Sequence, residues 1–403
     1  MSWTPRRLDQ LGYLSRGRSR HRPRDAAHLY GGPYPFIQTG DVKHAALHIT
    51  EYEQTYSEAG LEQSRLWPVG TLCITIAANI AETAVLGIDA CFPDSVIGFI
   101  PDEKKADARF IKYLFDAQIQ RRVQQFTQGA AQDNLSREKL LSIEFEVPGD
   151  VNEQKGIADI LSAYDDLVEN NRRRMALLEE AARQLYREWL VRLRFPGHEH
   201  TRITNGVPEG WRRKELAELC ESIDYGYTAS AQQEDVGPKF LRITDIVPQS
   251  IDWSTVPHCQ ISEERLDKFR LCEGDIVVAR TGATVGYAKR LHKRHPDAVF
   301  ASYLVRFRTK PEVDNLMVGI FVESDSYKAY VQSRVGGAAQ PNANATVLAG
   351  AEILVPSPVL QRNFREIVEP LFDQREILQI ENDKLRAARD LLLPRLMSGE
   401  IAV

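Results

Sequence analysis

Four side chains able to read the edge of a nucleobase sit in two near-copies of one loop. Residues 127–134 read TQGAAQDN and residues 335–342 read VGGAAQPN, and Gly337 of the second stands 337 − 129 = 208 positions after Gly129 of the first. Gln and Asn carry a donor and an acceptor side by side, the pair that matches the major-groove edge of adenine, while the arginine fork matches guanine. Gln132, Asn134, Gln340 and Asn342 are therefore candidates for base contact. Gln38, Tyr227, Arg242, Arg280, Thr281, Thr284, Lys289 and Arg290, polar residues beside turn signals, complete that set. For any one of them, a turn-stabilising Asn or a surface base is an equally good reading. A further candidate is RGRSRHRPRD, where Arg16, Arg18, Arg20, Arg22 and Arg24 occupy every second position. That spacing suits an extended arm laid along a phosphate backbone, although a solvated loop has the same composition.

Chemistry of other kinds is missing from the pattern. Among recurring polar groups, Asp41 and Asp245 form a lone carboxylate per half, and the nine histidines make no matched pair. TGATVG (Thr281 to Gly286) lacks the Lys-Ser/Thr ending of a phosphate-binding loop and reads as a turn at a strand end. PDEKK (101–105) has no Glu-x-Lys on a following strand to complete a nuclease set, and GHEH (197–200) lacks further ligands for a metal. No Gly-rich dinucleotide or methyl-donor loop is present. The expectation is a binder with no catalytic, cofactor or metal residues of its own.

Charge and composition limit what it can bind. The net charge is −5 and the isoelectric point about 6.1, so contact with a polyanion has to be local. With 43% hydrophobic and 27% charged residues, and no run near the roughly 20 apolar residues of a membrane span, the chain reads as soluble. MSWTPRRLDQLGY offers no apolar segment for export, so a cytoplasmic protein is expected. Five scattered cysteines without a C-x-x-C pair predict neither a disulfide framework nor a zinc site.

The elements that would position these residues are duplicated. WTPRRLDQL (Trp3 to Leu11) aligns with WRRKELAEL (Trp211 to Leu219), PFIQTGDV with KFLRITDI, and PVGTLCIT with CEGDIVVA, placing Gly70 on Gly274. FEVP and ILVP share Pro148 and Pro356, and Gln154 falls on Gln361. Ordered matches at nearly one shift define a repeated unit of about 200 residues. Each unit predicts short strands, then a helix (ARFIKYLFDAQIQRRVQQF; NLMVGIFVESDSYKAYVQS), the Gly-Ala-Ala-Gln loop, and a last strand ending at proline.

After each proline a 4-3 apolar repeat begins. The first runs through Leu161, Val168, Asn171, Met175, Leu178 and Leu185, the second through Leu371, Leu378, Asn382, Leu385 and Leu392. These are coiled-coil seams with an asparagine at one position of each; the second is less clean, taking Arg375 and Arg389 as well, and Pro370 predicts a kink in it. FPGHEHTRITNGVPEGW reads as a linker. The predicted architecture is α+β: two similar domains, residues 1–150 and 196–357, separated by two long helices, 151–195 and 358–403, that pair as an antiparallel coiled coil in a pseudo-twofold internal repeat.

Two similar modules suit a ligand that repeats along an axis, as duplex DNA does. The residues resemble the specificity subunits of type I restriction-modification systems across essentially the whole chain. PEGWRRKELAELCESIDYGYT (Pro208 to Thr228) looks like the start of a target-recognition domain, GDIVVARTGATVGYAKR like its central strand and turn, GGAAQPN with ILVPSPVLQ like its exit, and LLLPRLMSGEI (Leu391 to Ile401) like the usual C-terminus. The first half departs, with CITIAANIAETAVLG in place of the Arg-Thr-Gly-Ala-Thr-Val-Gly pattern. The resemblance implies a non-catalytic scaffold that binds a split, asymmetric site in double-stranded DNA, its paired helices serving as a ruler and as the dock for two modification subunits. Those partners would bring S-adenosylmethionine, and restriction subunits would bring ATP and Mg. The alternatives are a coiled-coil scaffold that binds no DNA, or a stand-alone nuclease.

Overall fold

The computed structural model describes residues 3–77, 80–127, 137–335 and 341–403, with side chains at all of these except 119–127 and 137. The chain forms two compact units, Met1–Arg173 with Gln379–Val403, and Arg174–Leu378.

In the first unit the main sheet runs in the order Gly12–Arg16, Val96–Pro101, Leu72–Thr75, Thr83–Leu86, His48–Ile49. The second repeats the first four positions with Cys220–Tyr225, Leu304–Thr309, Ile276–Ala279 and Ala288–Arg290. Both Leu72–Thr75 and Ile276–Ala279 are buried at every position, because the sheet is covered on both faces. Successive side chains point to opposite faces, so Leu72 and Ile74 enter one core with Phe110 and Leu114, while Cys73 enters another with Trp67 and Phe92. Ile276 and Val278 divide from Val277 and Ala279 in the same way. The turn into each strand is made by a glycine in the left-handed region, Gly70 (φ 84°) and Gly274 (φ 82°), a conformation that a Cβ makes costly.

The repeat extends to individual hydrogen bonds. The entry strand of each unit pairs antiparallel with its exit strand, Trp3–Arg6 with Phe145–Pro148 and Arg212–Glu215 with Glu352–Val355. Gln154 donates to the carbonyl of Pro148 (3.0 Å) and accepts from the Asp107 amide (3.2 Å). Gln361 likewise donates to Pro356 (2.9 Å) and accepts from Asp314 (3.1 Å). A glutamine one turn into the long helix therefore clips the exit strand to the start of the domain helix in both units.

Two expectations are corrected. The stretch read as one helix from Asn315 is two, Asn315–Val322 and Asp325–Val335. Ser324 interrupts it: its hydroxyl donates to the Phe321 carbonyl (2.6 Å) and accepts from the Tyr327 amide (3.3 Å), capping the second helix. The presumed linker contains a hairpin, Ile203–Thr204 with Val207–Pro208. Asn205 (φ 51°) and Gly206 (φ 74°) supply the two positive-φ positions that a two-residue turn needs.

The long helices are Val151–Tyr186, continued by a wide turn at Arg187–Val191, and Pro358–Met397, which runs through Pro370 as one helix. Within the first unit they pack antiparallel, Asp165 meeting Arg389 and Asn171 meeting Asn382. Within the second they do the same: Glu179 lies 3.6 Å from Arg375, and the Tyr186 and Phe364 rings are 6.3 Å apart. Leu161, Val168, Asn171 and Met175, with Leu378 and Asn382, are buried; Leu178, Leu185, Leu371, Leu385 and Leu392 are half-buried. Among the described residues no helix is long and apolar enough to cross a membrane.

Candidate nucleic-acid interface

In the second unit the strand Ile276–Ala279 ends in the turn Arg280–Gly286, in which Gly282 (φ 79°) and Gly286 (φ 85°) carry the backbone through the left-handed region. This turn is tied to the exit of the Gly-Ala-Ala-Gln loop. Thr281 and Asn342 form an antiparallel bridge, the Gly282 amide donates to the Pro341 carbonyl (3.0 Å), and the Ala343 amide donates to the Arg280 carbonyl (2.8 Å). The edge strand passes beside it, because Gly226 lets the chain approach so closely that a Cβ there would lie 2.2 Å from the Ala301 carbonyl oxygen.

These constraints gather one polar, aromatic surface. The Arg280 guanidinium lies over the Tyr225 ring, 4.8 Å from its centroid, and donates to the Asn342 side-chain oxygen (3.2 Å). Tyr225 is 43% exposed, and its hydroxyl accepts from the Ala345 amide (2.9 Å). Tyr303, whose carbonyl accepts from the Arg280 amide (3.0 Å), is 61% exposed. Tyr227 is half-buried against Phe269, its carbonyl accepting from the Ser302 amide (2.8 Å). Of the residues singled out in the sequence, Arg280, Thr281 and Asn342 thus come together, while Tyr227 packs against Phe269. Thr284 stands in the same turn, where its carbonyl receives the Tyr287 amide (3.0 Å).

Other candidates lie elsewhere. Lys289 is buried, its ammonium donating to the Gln249 carbonyl (2.7 Å), and Arg290 packs over Phe372 and donates to Asn315 (3.4 Å). Burial holds the Arg290 guanidinium below its ordinary pKa. Both cations serve the interior of the unit. Arg242 pairs with Asp245 through two bonds of 3.0 and 2.9 Å. Gln38 occupies the matching place in the first unit, where its side chain donates to Gln54 (2.7 Å). The recurring carboxylates are helix caps: Asp41 accepts from the Gln38 amide (2.7 Å) and Asp245 from the Arg242 amide (2.8 Å), each reaching back to the residue just before a short helix. Gln132, Asn134 and Gln340 lie outside the described residues.

Arg16 ends the strand Gly12–Arg16, whereas Arg22 and Arg24 lie in a bend and a turn, so the stretch is not one extended arm, and it is fastened down. Gly17 and Arg18 donate to the carbonyls of Val96 (2.9 Å) and Phe92 (3.1 Å), Ser64 donates to the Arg18 carbonyl (2.9 Å), and His21 donates to Gln63 (3.0 Å). Alternation leaves Gly17 and Ser19 buried and all five arginines exposed. Arg24 pairs with Asp94 (2.8 Å), and Arg22 donates to the carbonyls of Ser19 and His21. Among the described residues Arg16, Arg18 and Arg20 form no ion pair.

Sequence reading missed four residues of these surfaces: Tyr225 and Tyr303, and in the first unit Tyr13 and Arg65. Arg65 lies over both Trp67 (4.0 Å) and Tyr13 (5.0 Å) and donates to the Tyr13 hydroxyl (2.9 Å). Hydrogen bonds from Ser15 and then Arg65 hold the Tyr13 phenol below its ordinary pKa. Only the Tyr-x-Tyr spacing of IDYGYT hinted at Tyr225.

A duplicated α+β binding module with an antiparallel helix pair is the class this architecture defines. Residues 2–180 match the family described as type I restriction modification DNA specificity domain. Along its full length the chain is 22% identical to the type I restriction enzyme MjaIX specificity subunit of Methanocaldococcus jannaschii, covering 94% of that protein. It is 26% identical over 212 residues to the HindI specificity subunit of Haemophilus influenzae, a match spanning 48% of this chain and 42% of that one. The fold is shared with the S subunit of a type I restriction-modification system from M. genitalium, at a TM-score of 0.59 and 16% identity, over 98% of this chain and 96% of that one. Along its whole length, therefore, the chain is similar to specificity subunits of type I restriction-modification systems. The family match covers the first domain and most of the long helix that follows it, and the second domain repeats the first four strand positions of the first domain's main sheet.

Proposed function

We propose that this chain is the non-catalytic, DNA-reading subunit of a methyltransferase and endonuclease complex, each domain binding one part of a bipartite, asymmetric site in double-stranded DNA. The paired helices would dock two modification subunits bearing S-adenosylmethionine, and restriction subunits would bring ATP and Mg. One observation carries the reading: a shared scaffold presents different side chains at matching places. Where the second unit has Arg280 after its central strand, the first has Ile76, and the edge strands end in Tyr225 and Arg16. A duplicated enzyme would keep its reactive groups alike, whereas a duplicated reader of two different sequences must vary them.

Selection by the purified chain from a random duplex pool tests this directly. The expected result is enrichment of two short, unlike sequences at a fixed spacing, with binding that weakens steeply as salt rises. Binding without sequence enrichment, or none at any salt, defeats the assignment; methyl transfer by the chain alone would refute its non-catalytic part.

A further inference from the structure

The geometry points to Arg280 as the reader of a guanine in the half-site of the second domain, with Tyr225 and Asn342 as the residues that position it. This inference rests on the DNA-reading assignment above and names the base that one part of the surface takes.

A guanidinium that discriminates between bases has to be held in one plane, because two parallel N–H groups must meet the O6 and N7 acceptors of guanine together. Arg280 is held at three places. Its backbone is bonded on both sides, the amide to the Tyr303 carbonyl (3.0 Å) and the carbonyl from the Ala343 amide (2.8 Å). Its charged group lies over the Tyr225 ring at 4.8 Å, and one terminal nitrogen donates to Asn342 at 3.2 Å. Its Nε is buried without a hydrogen-bond partner, and among the described residues no carboxylate forms an ion pair with it. The fork is thus oriented, partly desolvated and uncompensated, unlike Arg242, which is neutralised by Asp245.

Comparison of the two units favours a base over a phosphate. Domains of one ancestry that grip the same sugar-phosphate backbone can share the parts that hold phosphates, while the parts that read different sequences have to differ. The cation, its aromatic platform and the exposed ring beside it are particular to the second unit; the matching positions after the strand and at the edge strand's end are Ile76 and Arg16. A phosphate contact also has no need of a fixed plane.

The test compares the full chain with Arg280→Ala, Arg280→Lys, Tyr225→Leu and Asn342→Ala in selection from a random duplex pool, followed by affinity measurement on the selected site and on single-base variants of it. For the wild type one guanine in one half-site is expected to be strongly preferred. Arg280→Ala should equalise the four bases there, leave the other half-site unchanged, and weaken binding to the preferred site by about 10- to 100-fold. Arg280→Lys, which keeps the charge and loses the planar fork, should also lose the preference. Tyr225→Leu and Asn342→Ala should weaken the same guanine preference and no other, which a merely structural role would not do. Uniform weakening on every sequence by Arg280→Ala, with the base preference intact, would show a phosphate contact and overturn the proposal, as would an unchanged preference in a folded Arg280→Lys. If the wild type enriches no sequence at all, the DNA-reading assignment itself has failed.

Discussion

Asn171 and Asn382 meet across the helix pair: the side-chain amide of Asn171 donates to the oxygen of Asn382 at 3.0 Å, and Asn382 donates in turn to the Val168 carbonyl at 3.3 Å. Asn382 is wholly buried and Asn171 nearly so. Buried ion pairs flank them in sequence at equal spacing. Asp165 pairs with Arg389 and Glu179 with Arg375, and 179 − 165 = 389 − 375 = 14, two heptads on each helix. A slip by one heptad would move Asp165 from Arg389 to Asn382 or Leu396, and Glu179 from Arg375 to Val368 or Asn382, so neither buried carboxylate would keep its arginine.

Replacing one asparagine should therefore hurt more than replacing both. Asn171→Leu leaves the buried Asn382 oxygen without its donor, at a cost of about 1–3 kcal/mol. The double variant N171L/N382L restores an apolar seam and should recover most of that loss. Urea unfolding of the three chains reports the order, and equal destabilisation by single and double variants would remove the pairing argument.

The Asp165 carboxylate is almost fully buried and is shared between Arg389 and the Tyr113 hydroxyl (2.5 Å). Burial, reinforced by the neighbouring Asp165, raises the Tyr113 pKa, so the phenol stays a donor. Arg389→Met strands the acid and should cost about 3–5 kcal/mol, while D165L/R389M should cost less than the single change. Should the double prove worse than the single, the ion pair would be contributing net stability.

Exposed Arg16, Arg18 and Arg20 should act as phosphate contacts in the DNA-reading assignment. R16A/R18A/R20A is expected to weaken binding alike on all sequences and to reduce the slope of log K against log salt by roughly 2–3, at about 0.9 per phosphate contact. An unaltered slope would mean that this stretch faces away from the duplex.

Thiol chemistry should single out one cysteine. Cys272 is exposed, while Cys73, Cys91, Cys220 and Cys259 are buried; burial pushes Cys220 up to about 12 and Cys259 up to about 11. At pH 8 a maleimide should label about one thiol per folded chain and five after denaturation. Labelling of native Cys272→Ser at a comparable rate would show that a buried site opens.

Patterns of period and register were legible in the sequence. The duplication, the glycines at Gly70 and Gly274, and the seams of Leu161 to Leu185 and Leu371 to Leu392 could all be read there, because each rests on a fixed repeat along the chain. The break at Ser324 could not, since a serine in an apolar-periodic stretch reads as tolerated until its hydroxyl is seen to cap the next helix.

Which polar residues face outward was decided by tertiary structure alone. Arg280, Lys289 and Arg290 stand within eleven positions of one another on one strand-turn-strand unit, with nothing in their local sequence to rank them. Partners distant along the chain separate them: the Gln249 carbonyl takes Lys289, Asn315 and Phe372 take Arg290, and Asn342 with Tyr225 props Arg280 at an exposed edge. The carboxylates at 41 and 245, which recur as catalytic groups would, became helix caps for the same reason. A side chain's type sets what it can bond, but whether those bonds are spent inside the fold or left for a ligand depends on which distant segments pack beside it.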